Sequence, residues 1–87
     1  MENRNEMKLF GYTSQGRRAD DARPLALAEV TLLATPRELR KIAIFIAAAA
    51  DAMERSGPSY SHEHVEDKQR GFKKSPQFVV FNPEARN

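Results

Sequence analysis

The sequence predicts a small α+β fold: an antiparallel sheet of three to four strands, in ββαββ order, covered on one face by a single amphipathic helix. Three observations carry the prediction. Leu25–Ala34 (LALAEVTLLA) alternates apolar and mixed positions at the strand period. Thr35-Pro36-Arg37-Glu38 opens a long apolar-periodic run that stops at Gly57-Pro58. Gln77–Asn82 (QFVVFN) is short, rich in β-formers and closed by Asn82-Pro83.

Taken in order, Met7–Thr13 (MKLFGYT) is bulky and aromatic enough for a first strand. Ser14–Pro24 carries Gly, paired charges and Pro, which fits a loop or a wide hairpin connection. In the second strand Ala26, Ala28, Val30, Leu32 and Ala34 define the inward face, while Glu29 and Thr31 face outward. At the helix start the Thr35 hydroxyl can accept from the Glu38 amide, and the Glu38 carboxylate can reach back to the Thr35 amide, with Pro36 at the first helical position. Leu39, Ile42, Ala43, Ile46, Ala49, Ala50 and Met53 form the expected core stripe, opposite Arg37, Arg40, Asp51 and Arg55. Ile44 and Phe45 fall outside that stripe. They read either as a broadening of the core or as a second contact through which two copies could pair.

About twenty residues separate the helix from Gln77, too many for a structureless loop in so short a chain. The economical solution makes Ser59–Glu66 a strand and Lys68–Pro76 a turn, so that the final segment folds back as a hairpin. Residues 1–87 are then one domain, with residues 1–6 and 84–87 as disordered tails.

Composition narrows the function. Of 87 residues, 40% are hydrophobic and 30% charged, ordinary proportions for a soluble globular protein. The net charge of +2 is too small to imply nucleic acid by itself. There is no cysteine, which removes disulfides, thiolate metal sites and cysteine nucleophiles. The polar N-terminal residues do not resemble a signal peptide, and Ile42–Ala50 is too short to span a bilayer. A cytoplasmic location, no membrane partner and no cofactor are expected.

The chemistry-bearing residues gather in SYSHEHVED, Ser59–Asp67. On an extended backbone Tyr60, His62, His64 and Glu66 share one face and Ser61, Glu63 and Val65 the other. Two imidazoles at this spacing could hold a metal ion with Glu66 as a third ligand, although no other histidine exists in the chain. A catalytic use lacks a cleft and an oxyanion hole, so no catalytic residue and no enzyme is expected. His62 and Asp67 could serve only to brace the strand-to-turn junction. The remaining use is recognition: Tyr60, His62, His64 and Phe72 as anchors, and Glu63, Glu66 and Asp67 to steer a basic partner. In the next segment Lys68, Arg70, Lys73 and Lys74 surround Phe72, a combination that could bind a phosphate backbone and stack a base. The acidic run before it would repel that backbone, so nucleic acid stays an alternative.

The order EVTLLATPRELRKIAIFI, then SHEHVED, then FVVFNP, from Glu29 to Pro83, resembles the immunity protein 32 family, small cytosolic proteins of bacterial polymorphic-toxin systems. The resemblance implies stoichiometric binding and neutralisation of a cognate toxin. It gives His62, His64 and Asp67 importance without assigning them a role, and it leaves the residues through Arg23 outside the match.

Overall fold

The computed structural model describes residues 7–14 and 23–85. Contacts within the chain gather into two compact units, Met1–Leu33 and Ala34–Asn87. The expected tail at residues 1–6, the end of the expected tail at residues 86–87 and most of the connection after Ser14 lie outside the described residues.

The first unit contains strands β1 (Leu9–Gly11) and β2 (Leu25–Leu27), paired antiparallel with Leu9 opposite Leu27, Phe10 opposite Ala26 and Gly11 opposite Leu25. Gly11 faces a leucine on the neighbouring strand. A Cβ at this position would lie 3.1 Å from Leu27 Cδ1, so a larger residue would need that side chain to give by a few tenths of an ångström. The strand expected from Leu25 to Ala34 ends at Leu27. Val30, Leu32 and Leu33 are 52%, 47% and 100% exposed. Alternation counts apolar residues, whereas burial rewards apolar area. Three of the five inward positions are alanines, which offer little area to bury.

The second unit is built on α1 (Pro36–Ser56), a 21-residue helix. Its start is a complete capping box: the Glu38 amide donates to Thr35 Oγ1 at 3.1 Å, and the Thr35 amide donates to Glu38 Oε1 at 2.8 Å. Thr35→Ala is expected to lower stability by about 1 kcal/mol in urea unfolding, since it leaves the Glu38 amide without its partner. A single 3-10 turn, Gly57–Ser59, follows the helix. Gly57 takes φ 58°, a left-handed value that glycine adopts readily.

Strands β3 (His62–His64) and β4 (Val79–Phe81) then pair antiparallel, with His62 opposite Phe81, Glu63 opposite Val80 and His64 opposite Val79. Two flanking bonds continue this register: the Asn82 amide donates to the Ser61 carbonyl and the Val65 amide to the Phe78 carbonyl, both at 2.9 Å. Between the strands lies α2 (Val65–Lys68), a single helical turn. The described strands therefore form two separate two-stranded sheets, β1–β2 and β3–β4, in place of one sheet of three to four strands.

The core lies in the second unit. Ile42, Phe45, Val65 and Phe72 are buried together, with Phe78 and Val80 packed against them. Phe45 meets Phe78 edge to face, ring centroids 6.2 Å apart. This corrects the expected stripe. The buried line on α1 is Ile42, Phe45 and Ala49, whereas Leu39 and Ile46 are 43% and 45% exposed. The helix is rotated to bring its one aromatic ring inward, because a phenylalanine buries more area than the alanines flanking the other line. Phe45, at 1% exposure, is unavailable for pairing with a second copy; Ile44 is 60% exposed.

Asn82 is the one buried polar residue among those described. Its Nδ2 donates to the Gly57 and Tyr60 carbonyls at 3.0 and 2.9 Å, and its Oδ1 accepts from the Glu84 amide at 3.0 Å. The end of β4 is thus tied to the turn after α1. Glu84 and Ala85, expected in a disordered tail, are both hydrogen-bonded to Asn82.

Candidate functional site

The β3–β4 register sorts the candidate residues into two faces. Glu63 and Val80 occupy one face together with Val65, Phe78 and Asn82, and that side meets the core. His62, His64, Val79 and Phe81 occupy the other. Phe81 is 65% exposed and Val79 36%. The His62 ring stacks on Phe81 with centroids 4.6 Å apart and planes 14° from parallel. The His62 and His64 rings stand edge to face at 5.5 Å. The ribbon therefore displays both imidazoles on its accessible side, beside an exposed phenylalanine.

His64 is held by a chain of polar groups whose direction follows from chemistry. Gln77 Nε2 donates to Glu66 Oε1 at 3.1 Å, since an ionised carboxylate only accepts. The other atom of that amide, Oε1, can only accept, so His64 Nδ1, 3.0 Å away, is the donor. In its neutral form His64 therefore keeps the proton on Nδ1 and the lone pair on Nε2. His62 Nδ1 pairs with Ser61 Oγ at 2.9 Å.

Tyr60 does not join the imidazoles. Its hydroxyl donates to Glu63 Oε1 at 2.9 Å, and Lys68 closes on Glu63 Oε2 at 3.2 Å. Partial burial, then the hydrogen bond and charge of Glu63, push the Tyr60 phenol from its ordinary value near 10 up to about 12. Burial pushes the Glu63 carboxyl up. The bonds from Tyr60 and Lys68 and the Lys68 charge outweigh it, so the net shift is downward. Because the folded phenol titrates above the unfolded one, its stabilisation is complete below pH 10 and is lost as the pH rises towards 12. Tyr60→Phe is expected to remove that alkaline loss of stability, together with the phenolate absorbance that develops near pH 12.

Three expectations for the site are corrected. Glu66 lies on α2 rather than on an extended strand, and it reaches His64 only through Gln77. Phe72, expected at the surface as an anchor or a stacking platform, is a core residue at 6% exposure. The basic segment therefore lacks the exposed ring that base stacking requires. Lys68 is engaged by Glu63, and Lys41 Nζ donates to the Arg70 carbonyl at 3.0 Å, holding the loop against α1. Thirdly, among the described residues no three His, Asp or Glu side chains are placed to hold a metal ion together, so His62, His64 and Glu66 do not make a three-ligand set. Asp67 is exposed on α2.

Sequence reasoning missed Phe81 as a partner of His62, and Gln77 as the link from Glu66 to His64. The first could have been found by counting the hairpin register back from Asn82. The second carries no sequence signal, since Gln77 is thirteen residues from His64.

Among the described residues no helix is long and apolar enough to cross a membrane. Comparison of the chain with protein families, with curated proteins and with solved structures finds no match in any of the three.

Proposed function

We propose that this chain is a cytoplasmic protein-binding module that neutralises a toxin by stoichiometric association and has no substrate of its own. The observation that carries the binding reading is the accessible face of β3–β4, where Phe81, 65% exposed, stacks on His62 beside His64 and Val79. An exposed aromatic on a braced ribbon is the kind of group that anchors protein interfaces, because its contact area is large and little conformational freedom is lost on binding. Glu66 and Asp67 at the end of the ribbon supply acidic groups that would speed the approach of a basic partner. The choice of a toxin as partner rests on the resemblance of Glu29–Pro83 to the immunity protein 32 family.

The contact set differs from the one expected from sequence alone. His62, His64, Val79 and Phe81 form its centre and Glu66 and Asp67 its rim. Tyr60 and Glu63 brace the opposite side, and Phe72 belongs to the core.

The test is co-expression with the product of the adjacent gene, the candidate toxin. The wild-type chain should restore growth and co-purify with the toxin in a one-to-one complex. His62→Ala with Phe81→Ala should weaken that complex about 30-fold or more, the size expected when a central anchor is removed, with an unchanged circular dichroism spectrum. Absence of both protection and complex would remove the toxin. A complex unaffected by the double substitution would remove this face.

A further inference from the structure

We propose that His62 and His64 form a two-imidazole site for a borderline divalent transition metal ion, Zn²⁺ being the probe, with the remaining coordination positions open to water or to a donor from outside the chain. The proposal stands apart from the identity of any protein partner.

Three observations support it. The first is separation. Two imidazoles bound through nitrogen to one tetrahedral zinc, at about 2.0–2.1 Å each, place their ring centroids about 5 Å apart. The observed separation is 5.5 Å, and the planes are inclined by 68°, so the rings are not stacked face to face.

The second is the protonation pattern. The chain from Glu66 through Gln77 leaves His64 with its proton on Nδ1 and a lone pair on Nε2. This is the outer arrangement that orients metal-bound histidines: a carboxylate or amide oxygen accepts from one ring nitrogen and raises the basicity of the other. Ser61 Oγ can either donate to or accept from His62 Nδ1; the accepting arrangement, which matches that of Gln77 at His64, leaves His62 Nε2 as a second ligand atom.

The third is rigidity. The His62 ring is clamped against Phe81, and the His64 ring is fixed by its bond to Gln77. Less side-chain freedom is therefore lost on chelation than for two loose surface histidines. Nitrogen ligands with open positions select zinc, nickel or copper over calcium and magnesium, which need oxygen donors.

The full chain should be titrated with ZnCl₂ by calorimetry in a non-chelating buffer at pH 7.5, with CaCl₂ as a control. Saturable zinc binding and no calcium binding are expected. His62→Ala and His64→Ala should each weaken zinc binding at least about 10-fold, since each leaves a single imidazole. Gln77→Ala, at an exposed position that touches no ligand atom, should weaken it about 10- to 100-fold. That variant separates a braced site from two incidental histidines and does not disturb the core. No saturable binding in the wild-type chain overturns the proposal. So does binding that is unchanged in His64→Ala or in Gln77→Ala.

Discussion

Phe45→Ala is expected to destabilise the second unit by about 3–5 kcal/mol, the usual cost of emptying a fully buried aromatic position. Phe45 is 1% exposed and shares the core with Ile42, Val65 and Phe72, and its ring meets Phe78 edge to face. A domain of this size has little stability in reserve, since native proteins as a class hold only about 5–15 kcal/mol. Urea unfolding followed by circular dichroism should therefore show a much lowered midpoint, or no cooperative transition at all. Ile44→Ala, one position along, is the control: it removes a side chain that is 60% exposed and should cost well under about 1 kcal/mol. Equal effects at the two positions would mean that the helix presents a different line to the core.

Asn82→Asp should have the second largest effect. The two carbonyls of Gly57 and Tyr60 now receive hydrogens from Asn82 Nδ2. A carboxylate there has no hydrogen to give and sets negative charge against both acceptors, at a site only 9% exposed. A loss of about 3 kcal/mol or more at pH 7 is expected, the range for leaving buried partners unsatisfied beside a charge. The sign of the pH dependence follows. The new carboxyl would titrate higher in the folded chain than in the unfolded one, so the penalty should shrink as the pH falls and the group is protonated. Asn82→Ala, which removes the donor without adding charge, should lie between wild type and Asn82→Asp at pH 7 and should lack this acid rescue. Paired urea titrations at pH 7 and pH 4 measure both effects.

Some of this fold is legible in the residues. The capping box at Thr35 and Glu38 is local chemistry, fixed by four consecutive side chains, and it forms as written. The stop at Gly57-Pro58 is also a local signal, and the return of residues 62–81 as a hairpin follows from the length of the segment after the helix. The helix face does not. Ile42 and Ala49 lie on both candidate lines, and the choice between Phe45 and the pair Leu39 and Ile46 depends on what packs across from the helix. That surface comes from Val65, Phe72, Phe78 and Val80, which are remote in sequence. The same remoteness hides the burial of Phe72: a ring among four cations reads as solvated until the loop closes beneath it. In the site, the accessible placement of His62 and His64 follows from strand alternation, whereas the bond from Gln77 to His64 depends on hairpin register.

The confinement of the core to one stretch has a consequence for amide hydrogen exchange. Every residue of the buried cluster lies between Ile42 and Val80, whereas the described strands of the first unit, β1 and β2, make a ladder three residues long. A two-stranded ribbon that short opens often in water. Deuterium should therefore enter the amides of β1 and β2 within seconds, while the middle of α1 and the Val65 and Asn82 amides retain protium until the whole second unit unfolds.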